Sequence, residues 1–436
     1  MSIRHRTRGR RIAVTVVALL LASRAASAQT RQPLTLAALL DSVARHPIVE
    51  AAQAHVRAAQ GSRVASGAFG NPVFSYLVDN TPFPGGSSVR GIEREGMTTL
   101  TVPLEPVYQR GARVRMADAQ LRGAMNDAFA TRQRVALDAS QAYCRTAVAQ
   151  LGVGTSRDLL AWLDSVVTYN HSRVEEGAAA EADLIRSQLE RDRAAIDVTM
   201  QEADLAAARA ALSSFLGDPR MVDMRLLIVA IDELPLPMPP ASLAGTGANR
   251  PELLAARERL AAANAGTSIE RSMILRQLGA TIGTKQTAGT TSMIAGLSLP
   301  IPLFDPNRGE MARANAERDV AAFYLAAAER ETTAGVSGAS EAAAVLTDRA
   351  NALAQALTQG GRPALLARAD DARRIALGAY REGAVPLIQV LDAARASADA
   401  RLAYYRLIYT QRESVLKLIV ARGDDIVKTL KTIPSR

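Results

Sequence analysis

From Leu387 to Tyr409 the apolar positions fall at steps of three and four: Leu387, Leu391, Ala394, Ala398, Leu402, Tyr405 and Tyr409. Lysine and arginine occupy the other faces, which predicts a helix with one apolar stripe against a neighbouring helix. An earlier tract, Ala112 to Glu175, runs 64 residues without a proline. Unbroken, it would be a helix of about 96 Å at 1.5 Å per residue. Near its middle stand Gly152 and Gly154, and a comparable later tract holds Gly360, Gly361 and Pro363. Both sets predict a bend or break near mid-length. Alanine at many seam positions lets helices approach closely but buries little area, so such hairpins call for further helices around them.

Between the helical tracts the period changes from 3.6 to 2. The alternation predicts strands over Asn71 to Val78, Gly96 to Leu104, Gln277 to Gln286 and Thr291 to Pro300. Phe74, Tyr76 and Val78 share one face of the first, and Leu278, Ala280 and Ile282 oppose Gly279, Thr281, Gly283 and Lys285 in the third. Met293, Ala295, Leu297 and Leu299 alternate with Ser292, Gly296 and Ser298 in the fourth. Strands of this length, apolar on one face and polar on the other, match membrane-barrel strands. Four cannot close a barrel in lipid, because open edges leave backbone groups unpaired, whereas three copies would supply twelve.

The landmarks recur in order, which marks the chain as a duplication. His46-Pro47 opens one alanine-rich helix and Arg250-Pro251-Glu252-Leu253-Leu254 opens another. Val102-Pro103-Leu104 leads through Pro106 to Arg110-Gly111, and Ile301-Pro302-Leu303 leads through Pro306 to Arg308-Gly309. Glu176-Gly177 precedes Asp183-Leu184-Ile185, and 206 positions later Glu382-Gly383 precedes Gln389-Val390-Leu391. The expected organisation is a cleaved signal over 1–28, a first repeat over 29–216, a linker over 217–246, a second repeat over 247–422 and a tail over 423–436. Each repeat reads as helix, two strands, then two long helices meeting at the Glu-Gly turn.

The signal rests on a basic start (Arg4, Arg6, Arg8, Arg10, Arg11), an apolar core from Ile12 to Ala22, and Ala26-Ser27-Ala28 before Gln29. Of the formal net charge of +9, six positive charges and no acid lie in that segment, leaving +3 for the rest. Basic residues are otherwise spread among acids along the helices, which excludes a nucleic-acid binder. Cys144 is the single cysteine, so an intramolecular disulfide and a cysteine-rich metal site are excluded, and no cysteine follows the signal for lipid attachment. Cys144, in an alanine-rich helix beside Tyr143, reads as a small buried hydrophobe. His5, His46, His55 and His171 form no pair at metal-ligand spacing. Gly335-Val336-Ser337-Gly338 lacks nucleophile-elbow spacing, and neither a phosphate loop nor an HExxH motif is present. Nothing supports an enzyme or a resident cofactor.

With the duplicated order, the two Glu-Gly turns and the Pro-Leu-Phe-Asp-Pro-Asn-Arg-Gly run from Pro302 to Gly309, the chain resembles the TolC-like outer-membrane efflux family over essentially its whole mature length. Asn71-Pro72-Val73 before a short strand, and the Val102-Pro103-Leu104 and Arg110-Gly111 run, resemble the heavy-metal (CzcC-like) branch. The resemblance implies a mostly α fold with a small membrane β part: a homotrimer with a twelve-stranded outer-membrane barrel and a helical periplasmic tunnel. It implies a location in the outer membrane of a Gram-negative bacterium, contact with its lipid, and partners in a periplasmic adaptor and an inner-membrane RND pump. It also implies passive export of metal cations or small drugs without a cofactor. Acidic residues just after the second Gly turn ring the closed end in the family; Asp392 sits at such a place. Gln389 stands where an acid is common, with Asp183 as its counterpart in the first copy. Tyr380 matches a tyrosine tied to the closed state, and Val385 replaces the usual basic partner. Glu176, Gly177, Glu382 and Gly383 are the expected adaptor-contacting tips. A type I protein-secretion exit duct is the alternative within the class. A periplasmic coiled-coil scaffold or adaptor with no membrane part is the alternative outside it.

Overall fold

The computed structural model describes residues 33–81, 93–216, 227–231, 234–239, 247–273, 278–299, 301–356 and 362–432. The expected signal over 1–28, the Gly360-Gly361 pair, and Gln277 and Pro300 at the ends of two expected strands lie outside them. In chain order the elements are α1 (Leu36–Val43), α2 (Pro47–Ser66), β1 (Val73–Asp79), β2 (Glu95–Pro103), α3 (Glu105–Glu175) and α4 (Glu181–Ser213). There follow α5 (Pro251–Ser272), β3 (Gly279–Thr287), β4 (Thr290–Ser298), α6 (Arg308–Gln355), α7 (Ala364–Arg381), α8 (Leu387–Ala421) and α9 (Ile426–Thr432).

The repeated landmarks are element boundaries. Pro47 and Pro251 are first-turn prolines of α2 and α5, where the missing N–H costs nothing. His46 Nδ1 caps α2 by accepting from the Ile48 amide at 3.3 Å. Asn307 begins α6 in the left-handed region, φ 62°, and its amide side chain donates to the Glu270 carbonyl at 2.9 Å and carboxylate at 3.1 Å. The run from Pro302 to Gly309 therefore turns the chain from sheet to helix.

α3 is a single helix of 71 residues, about 106 Å long at the standard rise. The expected interruption at Gly152 and Gly154 is absent, because one glycine costs a helix only about 1 kcal/mol, far less than a proline. At Gly152 the missing side chain makes room for α4: a Cβ there would lie 2.4 Å from Gln201 Oε1. In the second half the helix does stop, at Gln355, and resumes at Ala364 behind Pro363.

The four strands form one antiparallel sheet in the order β1-β2-β3-β4. Ala288 and Gly289, both at positive φ (53° and 80°), make the two-residue turn between β3 and β4, a geometry whose twist suits a hairpin. The register sets Phe74, Leu100, Ile282 and Ala295 in one row and Tyr76, Thr98, Thr284 and Met293 in the next on the same face. Val102, Ala280 and Leu297 make the third row. On the other face Ser75, Thr99, Gly283 and Ile294 align, Thr101 Oγ1 meets Thr281 Oγ1 at 2.9 Å, and Lys285 pairs with Glu95 at 2.5 Å. The alternation expected from sequence is thus realised, with Phe74, Tyr76, Ile282, Met293 and Leu297 all exposed.

The main core lies where α1, the middle of α3, the ends of α4 and α8, and α9 meet, around Leu39, Tyr143, Leu212, Tyr409, Leu416 and Ile426. Cys144 is buried in it, and burial pushes its thiol up to about 12, consistent with an inert small hydrophobe. The segment around Val229 bridges in parallel to Leu34 and is clamped by Gln150 and by the Tyr143 hydroxyl, which donates to the Ala230 carbonyl at 2.7 Å. In the predicted stripe of α8, Leu387, Leu391, Ala394, Ala398 and Tyr409 are buried. So are Tyr404 and Ile408, because α8 packs against α3, α6 and α7 at once and needs more than one apolar face.

A candidate gate at the helical tips

α3 and α7 end in the same hydrogen-bonded turn. The Gly177 amide donates to the Val174 carbonyl and Ala178 to Arg173; Gly383 donates to Tyr380 and Ala384 to Ala379. This double closure with a left-handed glycine, φ 70° and 74°, is a Schellman ending that satisfies the last carbonyls of each helix. Beyond the adjoining backbone, no heavy atom of the described residues lies within 4 Å of a Cβ placed on either glycine, so backbone conformation alone requires them. Glu176 and Glu382 occupy the capping positions and are exposed.

Above the turns the two hairpins are joined by an aromatic and cationic cluster. The buried Tyr380 hydroxyl donates to Asn170 Oδ1 at 2.8 Å, linking α7 to α3. Tyr169 meets the Tyr380 ring edge-on, with centroids 6.1 Å apart. The Arg173 guanidinium lies 5.8 Å and 5.7 Å from these two ring centres, and Arg381 lies 5.6 Å from Tyr169. Burial, and then the Asp183 charge, push the Tyr380 phenol above its ordinary value, while Arg173 pulls it down. Tyr380 and Asp183, drawn from separate halves of the sequence, therefore sit within electrostatic reach. Val385 packs against the apolar part of this cluster beside Leu387, Val390 and Leu391.

Gln389 and Asp392 are placed differently. Both are exposed on the first turns of α8, and Asp392 Oδ1 lies 3.8 Å from Arg395 Nη1. Arg395 reaches in turn to Glu190 on α4. The structure thus separates a buried group, Tyr380 with Asp183 nearby, from an exposed group, Gln389 and Asp392. Tyr169, Asn170, Arg173, Glu190 and Arg395 belong to the same region and were not singled out from sequence. Their pairings span up to 210 positions, which no local periodicity encodes. Among the described residues, no group of three or more His, Cys, Asp or Glu is disposed to hold a metal ion, and no helix is long and apolar enough to cross a membrane.

The profile of the outer membrane efflux protein family matches residues 246–424, the span from the start of α5 through α8. The cobalt-zinc-cadmium resistance protein CzcC of Cupriavidus metallidurans is 25% identical over 381 residues, 85% of this chain and 86% of that protein. The chain is thus similar to outer membrane efflux proteins. The nickel-cobalt-cadmium resistance protein NccC of Alcaligenes xylosoxydans xylosoxydans is 28% identical to this chain over 74% of each. Among solved structures, the outer membrane protein VceC of Vibrio cholerae superposes with a TM-score of 0.72 at 18% identity, covering 90% of this chain and 96% of that one. The chain therefore shares the fold of VceC: long helical hairpins carrying a small four-stranded sheet.

Proposed function

We propose that this chain is the outer-membrane subunit of a tripartite efflux system, a passive trimeric conduit for divalent metal cations driven by an inner-membrane pump through a periplasmic adaptor. The observation that carries the reading is the open sheet with one mainly apolar face. Among the described residues β1 and β4 each pair with one neighbour only, while Phe74, Tyr76, Ile282, Met293 and Leu297 face outward unburied. Lipid tolerates such strands only in a closed cylinder, and three copies of a four-stranded sheet make a barrel of a size that leaves an aqueous lumen. A periplasmic scaffold would leave that face in water. The helices carry matching unpartnered surfaces: Ile185, Leu189, Ile196 and Met200 form an exposed stripe on α4 at intervals of four and seven, and Val320, Phe323 and Tyr324 are exposed on α6. These suit helix seams between copies.

In this reading the tips form the periplasmic aperture. Asp392 and Gln389 face the opening, Tyr380 and Asp183 belong to the contacts that hold it shut, and Glu176-Gly177 and Glu382-Gly383 meet the adaptor. A ring of three Asp392 carboxylates favours cations and disfavours anions. Metal cargo is supported by the relatives CzcC and NccC, whose names assign them to cobalt, zinc, cadmium and nickel resistance. A strain lacking the gene should lose tolerance to those cations, regain it with the wild-type chain, and keep its tolerance to dyes and detergents. Loss of tolerance to the organic compounds alone would replace metals by drugs as the cargo.

A further inference from the structure

We propose that Glu190 is a selectivity-determining residue of the aperture, acting by holding Arg395 away from Asp392. The inference rests on the reading of Asp392 as an aperture group. Arg395 is the cation closest to Asp392 on α8, three positions along the same helix. Left alone, an aspartate and an arginine at this spacing, with the acid nearer the N-terminus, form a favourable helical pair. Here the pair is stretched. One amino group of Arg395 is bound to Glu190 Oε2 on α4, and the other stands 3.8 Å from Asp392.

The surroundings explain why Glu190 prevails. Its side chain is 11% exposed, against 63% for Asp392, so water screens the Arg395–Glu190 pair less. Glu190 Oε1 is also held by Arg193 at 3.1 Å, which fixes the carboxylate that Arg395 meets. The Arg395–Glu190 bond spans a cleft of about 350 Å³ lined by α3, α4 and α8, where Leu163, Ala194 and Leu391 provide an apolar floor. Asp399, the third acid acting on Arg395, lies a turn further along α8 on the C-terminal side, the weaker orientation for a helical pair. Releasing Arg395 from Glu190 therefore sends it to Asp392. In a trimer this would tighten the loose Arg395–Asp392 pair at three places and weaken the negative potential of the ring without changing any residue of the ring itself. Sequence alone hides this arrangement, since Glu190 and Arg395 lie 205 positions apart.

The test uses the assembled trimer in a planar bilayer, with reversal potentials under a potassium chloride gradient giving the cation-to-anion permeability ratio. Asp392→Asn should lower the ratio about fivefold, the order expected for losing a charge in a confined aperture. Glu190→Gln should lower it by a similar factor although Glu190 is nearly buried. The double variant Glu190→Gln/Arg395→Gln should return to within about twofold of the parent, a recovery that damage to the fold would not give. Asp197→Asn removes the same charge from the same cleft and should change the ratio less than about twofold. A parent-like ratio in Glu190→Gln, an equal fall in Asp197→Asn, or no recovery in the double variant would each overturn the role of Glu190 while leaving the aperture intact. An unchanged ratio in Asp392→Asn would instead remove Asp392 from the aperture, and the inference with it.

Discussion

Replacing Ile282 with arginine is expected to abolish assembly of the channel, whereas Thr281→Arg, one position away, should leave it intact. Ile282 sits near the middle of β3 in the row Phe74, Leu100, Ile282, Ala295, and is 55% exposed in the isolated chain. If that face meets lipid, an arginine near mid-depth costs roughly 2–4 kcal/mol per copy. Three copies raise the cost to roughly 6–12 kcal/mol per trimer, comparable with the whole stability of an ordinary domain. Thr281 points to the opposite face beside Thr101 and Gly296, where an arginine would stand in an aqueous lumen. The amount of heat-resistant trimer recovered from membranes distinguishes the two. Equal loss in both variants would mean that strand integrity, and not the side chain's solvent, decides assembly.

Gly423→Ala should destabilise the helical body by roughly 3 kcal/mol, and Gly423→Asn should not rescue it. Gly423 closes α8 with φ 84°, its amide donating to the Val420 carbonyl and the Asp424 amide to Ile419. The left-handed conformation alone costs a side chain about 1–2 kcal/mol. A Cβ would also lie 2.7 Å from the Arg250 amide nitrogen and 2.8 Å from the Asn249 carbonyl carbon. Both are backbone atoms at the entry to α5, so relief requires moving the start of the second half against the end of α8. Asparagine tolerates positive φ but still carries a Cβ. At Gly383, where nothing lies within 4 Å, Gly383→Asn should cost only a few tenths of a kcal/mol. Thermal unfolding of the three variants checks the contrast, and equal losses at both sites would refute the steric account of Gly423.

Why one glycine was legible and the other was not is instructive. Gly177 and Gly383 stood out because a long helical pattern ends at each and restarts a few residues later, at the same offset in both halves. Gly423 ends a helix too, but its tight partner, the Asn249-Arg250 turn, comes from elsewhere in the chain. The same distinction separates the strands from the contacts at the helical tips. Alternation from Phe74 to Val78 and from Met293 to Leu299 reported faces directly, since a period of two is a local property. Gly152 misled for a related reason: a glycine in a helix reads as a break, yet here it admits Gln201 of the neighbouring helix. At the tips, Tyr380 and Asp392 were visible through the repeated turn and the family likeness. The Asn170–Tyr380 and Glu190–Arg395 contacts depend on how two hairpins pack, and the stripe of α8 gives the direction of packing but not the partner.

Backbone hydrogen exchange of β1 and β4 in the lipid-embedded particle is the most direct test of how the sheet is completed. Among the described residues of one chain the outer edges of Val73–Asp79 and Thr290–Ser298 pair with no strand. Copies that join edge to edge in a cylinder should protect the outward-pointing amides of these strands as strongly as those of β2 and β3. Rapid exchange along both edges, beside protected β2 and β3, would show a sheet that stays open, and the conduit could not exist in that form.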